Sequence, residues 1–596
     1  MARRLLLAVL LCAAVDTLLT RLAHAHRAPD GALPLQLLLA WGAFGLVMAV
    51  PIVFTARRLG APFTVAIGWL AGPLALHHAL AVRVRDGSSA PWLIVAVVAT
   101  LLAVLVALVA LSWVERRLAI RRWPALVLAS GSLLLMMPLD PASRGSAAAP
   151  AAAPTAGRPN LLLLVWDTTR ADHLSPWGYD KPTTPHLAAL AADSATWDVA
   201  WSASVFTLSS HVSMLTGLPP GLHGTTMRRQ SVTAPSVASQ LRLAGYRTGA
   251  FVGTSVLAAG HGLERGFEVY DDRVDPALCD SHLWALIHDA QVIAAKVFPA
   301  LRHNGNPNRP QDFQRPASEV LDAALAFVRE PDPRPWFVMV NLFDVHWPYL
   351  PAKDAEALWV AAYDGPVSGY LFRADDFPTG YRPDEADKQH VRDLYDGELW
   401  QLDRAVDAFL AQASASAPDT CVLMTSDHGE ALGEGDRWSH DEVLAPQSRI
   451  PMLLHAPGRI APGRRPGPVS GVDVAATLLD LAGVAPEVAS TGRSLLESPA
   501  PGRILFVEDL DNLSAARDHH AALRGRWKLT RRDGVDRLTD PLADPLDQVD
   551  LLADHPDDAA ALEAALDALI EASTTADESG VLQNADALGA LGYTGH

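Results

Sequence analysis

Apolar residues are spread unevenly along the 596-residue chain. Five runs near the amino terminus, residues 5–23, 33–54, 62–82, 91–114 and 123–139, are each long enough, or nearly so, to cross about 30 Å of hydrocarbon as a helix. The stretch "PASRGSAAAPAAAPTAGRP" that follows has no apolar periodicity and reads as a semi-stiff linker. From Asn160 onward, short apolar runs alternate with stretches of helical period. "NLLLLVWD" (Asn160–Asp167), "RTGAFVG" (Arg247–Gly253), "WFVMVNLFD" (Trp336–Asp344), "TCVLMTSDHGE" (Thr420–Glu430) and "IPMLLHAPG" (Ile450–Gly458) read as buried strands. "TTPHLAALAADS" (Thr183–Ser194), "APSVASQLRLAG" (Ala234–Gly245) and "SEVLDAALAFVRE" (Ser318–Glu330) read as amphipathic helices. Such alternation predicts an α/β domain with a mostly parallel sheet wrapped by helices.

Charge orients the apolar part. Arg3, Arg4, Arg57, Arg58, Arg116, Arg117, Arg121 and Arg122 fall on one side of the five runs, against Arg27, Arg83 and Arg85 on the other. The arginine-rich side is expected to be cytoplasmic, so everything after the fifth run faces outward. A cleaved signal peptide over residues 1–25 is the rival reading, because "AHA" at Ala23–Ala25 imitates a cleavage site; Asp16 and Arg21 count against it. Asp16, His77 and His78 lie inside apolar runs, where ionisable groups are costly and hint at function; the bland reading is an interhelical hydrogen bond or a position near a helix end. The net charge of −18 and the lack of a dense basic stripe argue against nucleic acid as a partner. Cys12, Cys279 and Cys421 supply neither a disulfide framework nor a thiolate metal site.

In open α/β sheets, ligands bind at the carboxyl ends of strands. The first predicted strand ends at Asp167, the third at Asp344 with His346 beyond it, and the fourth at Asp427, His428 and Glu430. Carboxylates and imidazoles on one edge suit Zn²⁺, Mn²⁺ or Mg²⁺. A divalent ion could activate a hydroxyl near neutral pH, and "TLSSHVSML" (Thr207–Leu215) offers hydroxyls at a predicted helix start, where free N–H groups favour an anion. The bland reading of Thr207 is a helix cap. Glu430 and Glu434 read as supporting residues, His223 as a turn residue, and "DDAAALEAALDALIEA" as an amphipathic tail helix.

The motifs "VWDTTRADHLSPWGY", "TLSSHVSMLTGLPPGLHG", "NLFDVHWPY", "TSDHGEALGEGDRWSHDEVLAPQSRIPMLLHAPG", "RGRWKLTRR" and "RLTDPLADPLDQVDLLADHP" occur in the order found in the sulfatase family of the alkaline phosphatase superfamily, which the chain resembles from about residue 158 to 556. The resemblance implies an alkaline phosphatase-like sheet sandwiched by helices with a small C-terminal antiparallel sheet. The expected domains are a membrane domain of about five helices (1–140), a linker (141–158), a catalytic core (159–495), a C-terminal subdomain (496–556) and a helical tail (557–596). Where sulfatases carry the cysteine or serine matured to formylglycine, this chain has Thr207, which that maturation does not accept. Thr207 is therefore the implied nucleophile, as threonine is in phosphoethanolamine transferases and lipoteichoic acid synthases. Asp167, Thr207, Asp427 and His428 match the single-metal ligand set of those enzymes, for Zn, Mn, Ca or Mg. Thr168 replaces the family's second aspartate, His211 an arginine and His440 a lysine. His211, His346 and His440 are expected to line the pocket and assist catalysis; a second metal on Asp344, His346 and His440 is the alternative. The implied function is a membrane-anchored hydrolase or transferase of phosphate or sulfate esters, with topology pointing to a lipid or envelope glycan as substrate. The rivals are a sulfatase lacking formylglycine, a phosphoethanolamine or glycerol phosphate transferase of envelope lipids or glycans, and an inactive envelope scaffold. Residues 271–315 and 353–390 are expected to be the loops that select the substrate.

Overall fold

The computed structural model describes residues 157–226, 232, 234–273, 314–369, 381–487, 489–498, 500, 502–510 and 518–579. The five apolar runs, most of the linker and the end of the tail lie outside these residues. Among the described residues no helix is long and apolar enough to cross a membrane.

The main sheet has nine strands: β1 (Asn160–Trp166), β2 (Ala195–Trp201), β3 (Arg247–Val252), β4 (Val269–Asp271), β5 (Trp336–Leu342), β6 (Thr420–Thr425), β9 (Arg449–Ile450), β10 (Met452–His455) and β11 (Gly463–Ser470). Two short strands, β7 (Ala431–Leu432) and β8 (Trp438–Ser439), pair with each other outside it. The order across the main sheet is β11-β2-β10-β6-β1-β5-β3-β4, with β9 on β2. Pairing is parallel except at β10, which runs antiparallel to both β6 and β2, and at β9. The sequence pattern located β1, β3, β5, β6 and β10 but passed over β2 and β11.

The unbroken apolar run of β1 is explained by burial on both faces of the sheet. Leu161, Leu163 and Val165 point into one core, with helices α2 (Thr207–Thr216), α3 (Val237–Leu243) and α6 (Asp473–Ala482). Leu162, Leu164 and Trp166 point into the other, with α1 (Pro185–Ala192), α4 (Ala317–Arg329) and α5 (Glu385–Ser416). Residues 353–390, expected to be a substrate-selecting loop, include a short helix over Lys353–Trp359 and the start of α5, where Asp384 caps the backbone N–H groups of Ala386 and Asp387.

A second sheet, β12 (Leu505–Asp509) to β15 (Val535–Thr539) with β13 (His519–Arg524) and β14 (Trp527–Arg532) between, is antiparallel throughout. The helix α7 (Pro556–Ser579) covers it through Leu562, Leu566 and Leu569. The buried Lys528 bonds the carbonyl of Val443 and the carboxylate of Asp547, 2.6 Å away, while Glu508 accepts the N–H of Gly221 at 2.7 Å. Both Lys528 and Glu508 thereby fasten the second sheet to loops of the first. The fold is thus the alkaline phosphatase-like α/β arrangement with a small C-terminal antiparallel sheet.

Candidate active site

Parallel register builds the site. Val165 of β1 pairs with Thr425 of β6, so residues two places further on, Asp167 and Asp427, leave the sheet at the same edge. Beyond β1 the chain turns sharply at Thr168 (φ +50°), whose hydroxyl is spent on the carbonyls of Asp167 and Val345. Tyr395 of α5 pins this turn, donating to the Thr168 carbonyl and accepting from the Arg170 N–H, each at 2.9 Å. Asp427 Oδ1 accepts the N–H groups of Thr168 (3.1 Å) and His428 (2.9 Å). Asp167, Asp427 and His428, all fully buried, bring ligand atoms within 4.8 Å of one another.

Thr207 is not a cap. It is the first helical residue of α2, after Phe206, and its hydroxyl lies 3.3 Å from His428 Nε2. The other hydroxyls of the stretch are committed elsewhere: Ser209 to the Thr225 carbonyl (2.7 Å), Ser210 to the Asp427 carbonyl (2.6 Å) and Ser213 to His223 (3.0 Å). His223, the last residue of the short helix Pro220–His223, also accepts the Thr225 N–H at 3.1 Å and is buried. Among these hydroxyls, Thr207's is the one that meets the carboxylate and imidazole cluster.

The four histidines of the site, unlike His223, share a pattern in which Nδ1 faces a backbone carbonyl. His428 reaches Gly429 (3.0 Å), His211 reaches Thr207 (2.8 Å), His346 reaches Trp347 (2.7 Å) and His440 reaches Val205 (2.7 Å). The proton therefore sits on Nδ1 and Nε2 is an acceptor in the neutral ring. The rings of His428 and His440 lie 4.2 Å apart, and those of His440 and His346 lie 5.8 Å apart. Burial holds all three pocket imidazoles of the predicted set neutral: His346 falls to about 4, His440 falls well below the usual range with added repulsion from His428 and His346, and His211 is lowered as well. His211 stands apart from the other two, because its Nε2 lies 3.3 Å from the amide nitrogen of Asn341. Both of its nitrogens face protein partners.

The donor set fits a divalent cation. Asp167 Oδ1 and Asp427 Oδ2 are buried carboxylate oxygens without a hydrogen-bond partner, an expensive arrangement unless a cation faces them. Burial, then repulsion from Asp427, pushes the Asp167 carboxyl well above its ordinary range, and a cation would reverse both effects. Oxygen and imidazole ligands without thiolate suit Zn, Mn, Mg or Ca. Asp344 does not join this cluster. Its Oδ1 accepts the Ala317 N–H at the start of α4 (3.1 Å), and burial lifts it to about 6. Among the described residues, Asp167, Asp427 and His428 form the one cluster of three or more potential ligands, so the second-metal alternative finds no geometric support there. Glu434 pairs with Arg170, whose Nη1 also bonds the backbone carbonyl of Glu430 at 3.0 Å, which makes the Glu434 side chain and the Glu430 backbone part of the frame.

Sequence reasoning missed Asn341, Tyr395 and Arg170. Asn341 had a signal, since an amide inside the apolar run "WFVMVNLF" must find partners when buried; Tyr395 had none, because only the fold brings α5 to the turn after β1.

Comparison with known proteins agrees with this geometry. The family model described as Sulfatase matches residues 159–484. The choline-sulfatase of Rhizobium meliloti (strain 1021) is 26% identical over 448 residues, spanning 67% of this chain and 84% of its own. The arylsulfatase of Clostridium perfringens (strain 13 / Type A) is 23% identical over 390 residues, spanning 57% and 78%. Among solved structures, the phosphonate monoester hydrolase of Agrobacterium radiobacter aligns with a TM-score of 0.51 at 21% identity, over 70% of this chain and 96% of its own, a likeness of fold. With the family match covering more than half of its residues, the chain belongs to the sulfatase family and is an ester hydrolase of the alkaline phosphatase superfamily.

Proposed function

We propose that this protein is a metal-dependent phosphoesterase or phosphotransferase that works through Thr207. The observation that carries the reading is the Thr207 hydroxyl, at the start of α2 and 3.3 Å from His428 Nε2, beside the orphaned oxygens of Asp167 and Asp427. A divalent ion bound by Asp167, Asp427, His428 and the Thr207 oxygen would lower the pKa of that hydroxyl and offset charge on the transferring group. Thr207 Oγ1 attacks phosphorus, the new Oγ1–P bond forms, and the bond to the departing oxygen breaks. The proton lost from Thr207 is matched by one gained by the departing alcohol. Water or an acceptor hydroxyl or amine then takes the phosphoryl group and frees Thr207. His346 and His440 hold their resting protons on Nδ1 against carbonyls, so each can serve as an acid at Nε2 only after taking up a second proton. The free N–H groups of the first turn of α2 favour the anionic group.

A secondary alcohol cannot become an aldehyde hydrate, and this argues for phosphate over sulfate. Sulfate ester hydrolysis is the second reading, favoured by relatives named choline-sulfatase and arylsulfatase. The apolar runs and arginine asymmetry support a membrane anchor of about five helices with the catalytic domain outside, and hence a lipid or envelope glycan as substrate.

The test uses the full-length chain purified in detergent with Zn²⁺ or Mn²⁺, given aryl phosphate, aryl phosphodiester and aryl sulfate. Phosphoester turnover is expected to exceed sulfate turnover, and Thr207→Ala is expected to lower kcat by about 10³-fold or more. Faster sulfate cleavage, or an unimpaired variant, would sink the assignment.

A further inference from the structure

Asn341 is the last residue but one of β5, at the edge that carries the site; it is fully buried, and every polar atom of its amide is engaged. Its Oδ1 accepts the Gly253 N–H at 3.3 Å, which fixes which way the amide faces. Its Nδ2 donates to Asp167 Oδ2 at 3.0 Å and lies 3.3 Å from His211 Nε2. That imidazole nitrogen is an acceptor, because Nδ1 of the same ring faces the Thr207 carbonyl at 2.8 Å. One side chain thus links the carboxylate at the end of β1 to the first turn of α2. Asp167 is left with Oδ2 tied back into the protein and Oδ1 without a partner.

We propose that Asn341 is the positioning residue of this site, aiming Asp167 Oδ1 at the metal and holding the Thr207 turn through His211. The inference rests on the metal-dependent reading given above. His211 takes a supporting role in this arrangement, because with both nitrogens engaged the ring steadies the nucleophile's backbone and does not contact the substrate. Asn341 is the outer partner of a metal ligand, a kind of residue whose loss commonly weakens metal binding by about 10–100-fold.

The experiment measures Mn²⁺ and Zn²⁺ dissociation constants of the full-length chain by titration calorimetry, with apo melting temperatures measured in parallel. The variants are Asn341→Leu, which keeps the branched outline, though bulkier, and removes the amide's hydrogen bonds, and Asn341→Ser, which is smaller and serves if the leucine variant does not fold. Val340→Ala, a buried neighbour on the same strand, is the control for plain destabilisation. The expected result is a dissociation constant raised about 10–100-fold by the Asn341 variants, with Val340→Ala lowering the melting temperature and leaving metal affinity near wild type. A dissociation constant within about twofold of wild type in a folded Asn341 variant overturns the proposal, and so does equal weakening by Val340→Ala. Failure of the underlying reading looks different: wild type then binds neither ion, or Asp167→Ala binds as tightly as wild type.

Discussion

At the scale of single residues, the stretch around Thr207 shows how burial assigns roles among similar side chains. The hydroxyls of Ser209, Ser210 and Ser213 each reach a carbonyl or a neighbouring ring, and the threonine reaches the cluster. His223 is the residue whose titration is easiest to isolate, since it lies in the turn after α2, away from the metal-ligand cluster. Its ring bonds Ser213 and the Thr225 N–H, and burial lowers its pKa to about 3. Because the unfolded chain binds that proton near pH 6.5, the stability involved is fully present above about pH 6.5 and is lost as pH falls toward 3. The slope is about 1.4 kcal/mol per pH unit, so His223→Gln is expected to lose about 2 kcal/mol less than wild type between about pH 7 and pH 5 in denaturant titrations. An identical loss in both proteins would place the acid sensitivity elsewhere. Legibility at this scale was mixed. Asp167, Asp427 and His428 were readable because they end strands, whereas the use of both His211 nitrogens depends on Asn341, which arrives from a strand far along the chain, 130 positions later.

At the scale of elements, the strands that the sequence revealed are those buried on both faces. β1, β5 and β6 are continuous apolar runs, while β2, "ATWDVAW", mixes buried and half-buried positions and gave no clear period. The long helix α5 was hidden for a different reason. Alongside Val391, Leu394, Leu399 and Leu402 it buries Asp393, Asp396, Glu398 and Asp403, which breaks the apolar stripe. Several of those acids serve other elements: Asp396 pairs with His173 and Lys181, and Asp403 accepts the N–H groups of His186 and Leu187 at the start of α1. Glu398 accepts the Leu350 N–H at 2.7 Å, and burial, then Asp344, raises it to about 8. Its folded pKa exceeds the unfolded value near 4.5, so the stability it contributes is present below about pH 4.5 and is lost as pH rises through 8. Glu398→Gln keeps the acceptor and removes the titration. The variant is expected to be more stable than wild type by roughly 2–4 kcal/mol at about pH 8.5 and indistinguishable at about pH 4.5, as read from urea midpoints at the two values.

At the scale of the whole molecule, the C-terminal sheet is tied by Lys528 to the Val443 carbonyl, three residues after His440, and by Glu508 to the turn after α2. Two subassemblies therefore meet beside the edge that carries the candidate site. If the proposed ion binds the folded cluster, chelation lowers the melting temperature and excess Mn²⁺ restores it; an ion at about one hundred times its dissociation constant contributes about 2.7 kcal/mol. Asp427→Asn should erase that difference, and a chelator-insensitive melting curve in wild type would count against an ion in the fold. Asp167 and Asp427 are neighbours only through the pairing of β1 with β6, across about 260 positions of chain. Closing so long a loop waits for the sheet. If the proposed ion binds there, a chain still being synthesised has no place to hold it: the ion would be drawn from the compartment where folding ends, and the local supply there would decide which one is carried.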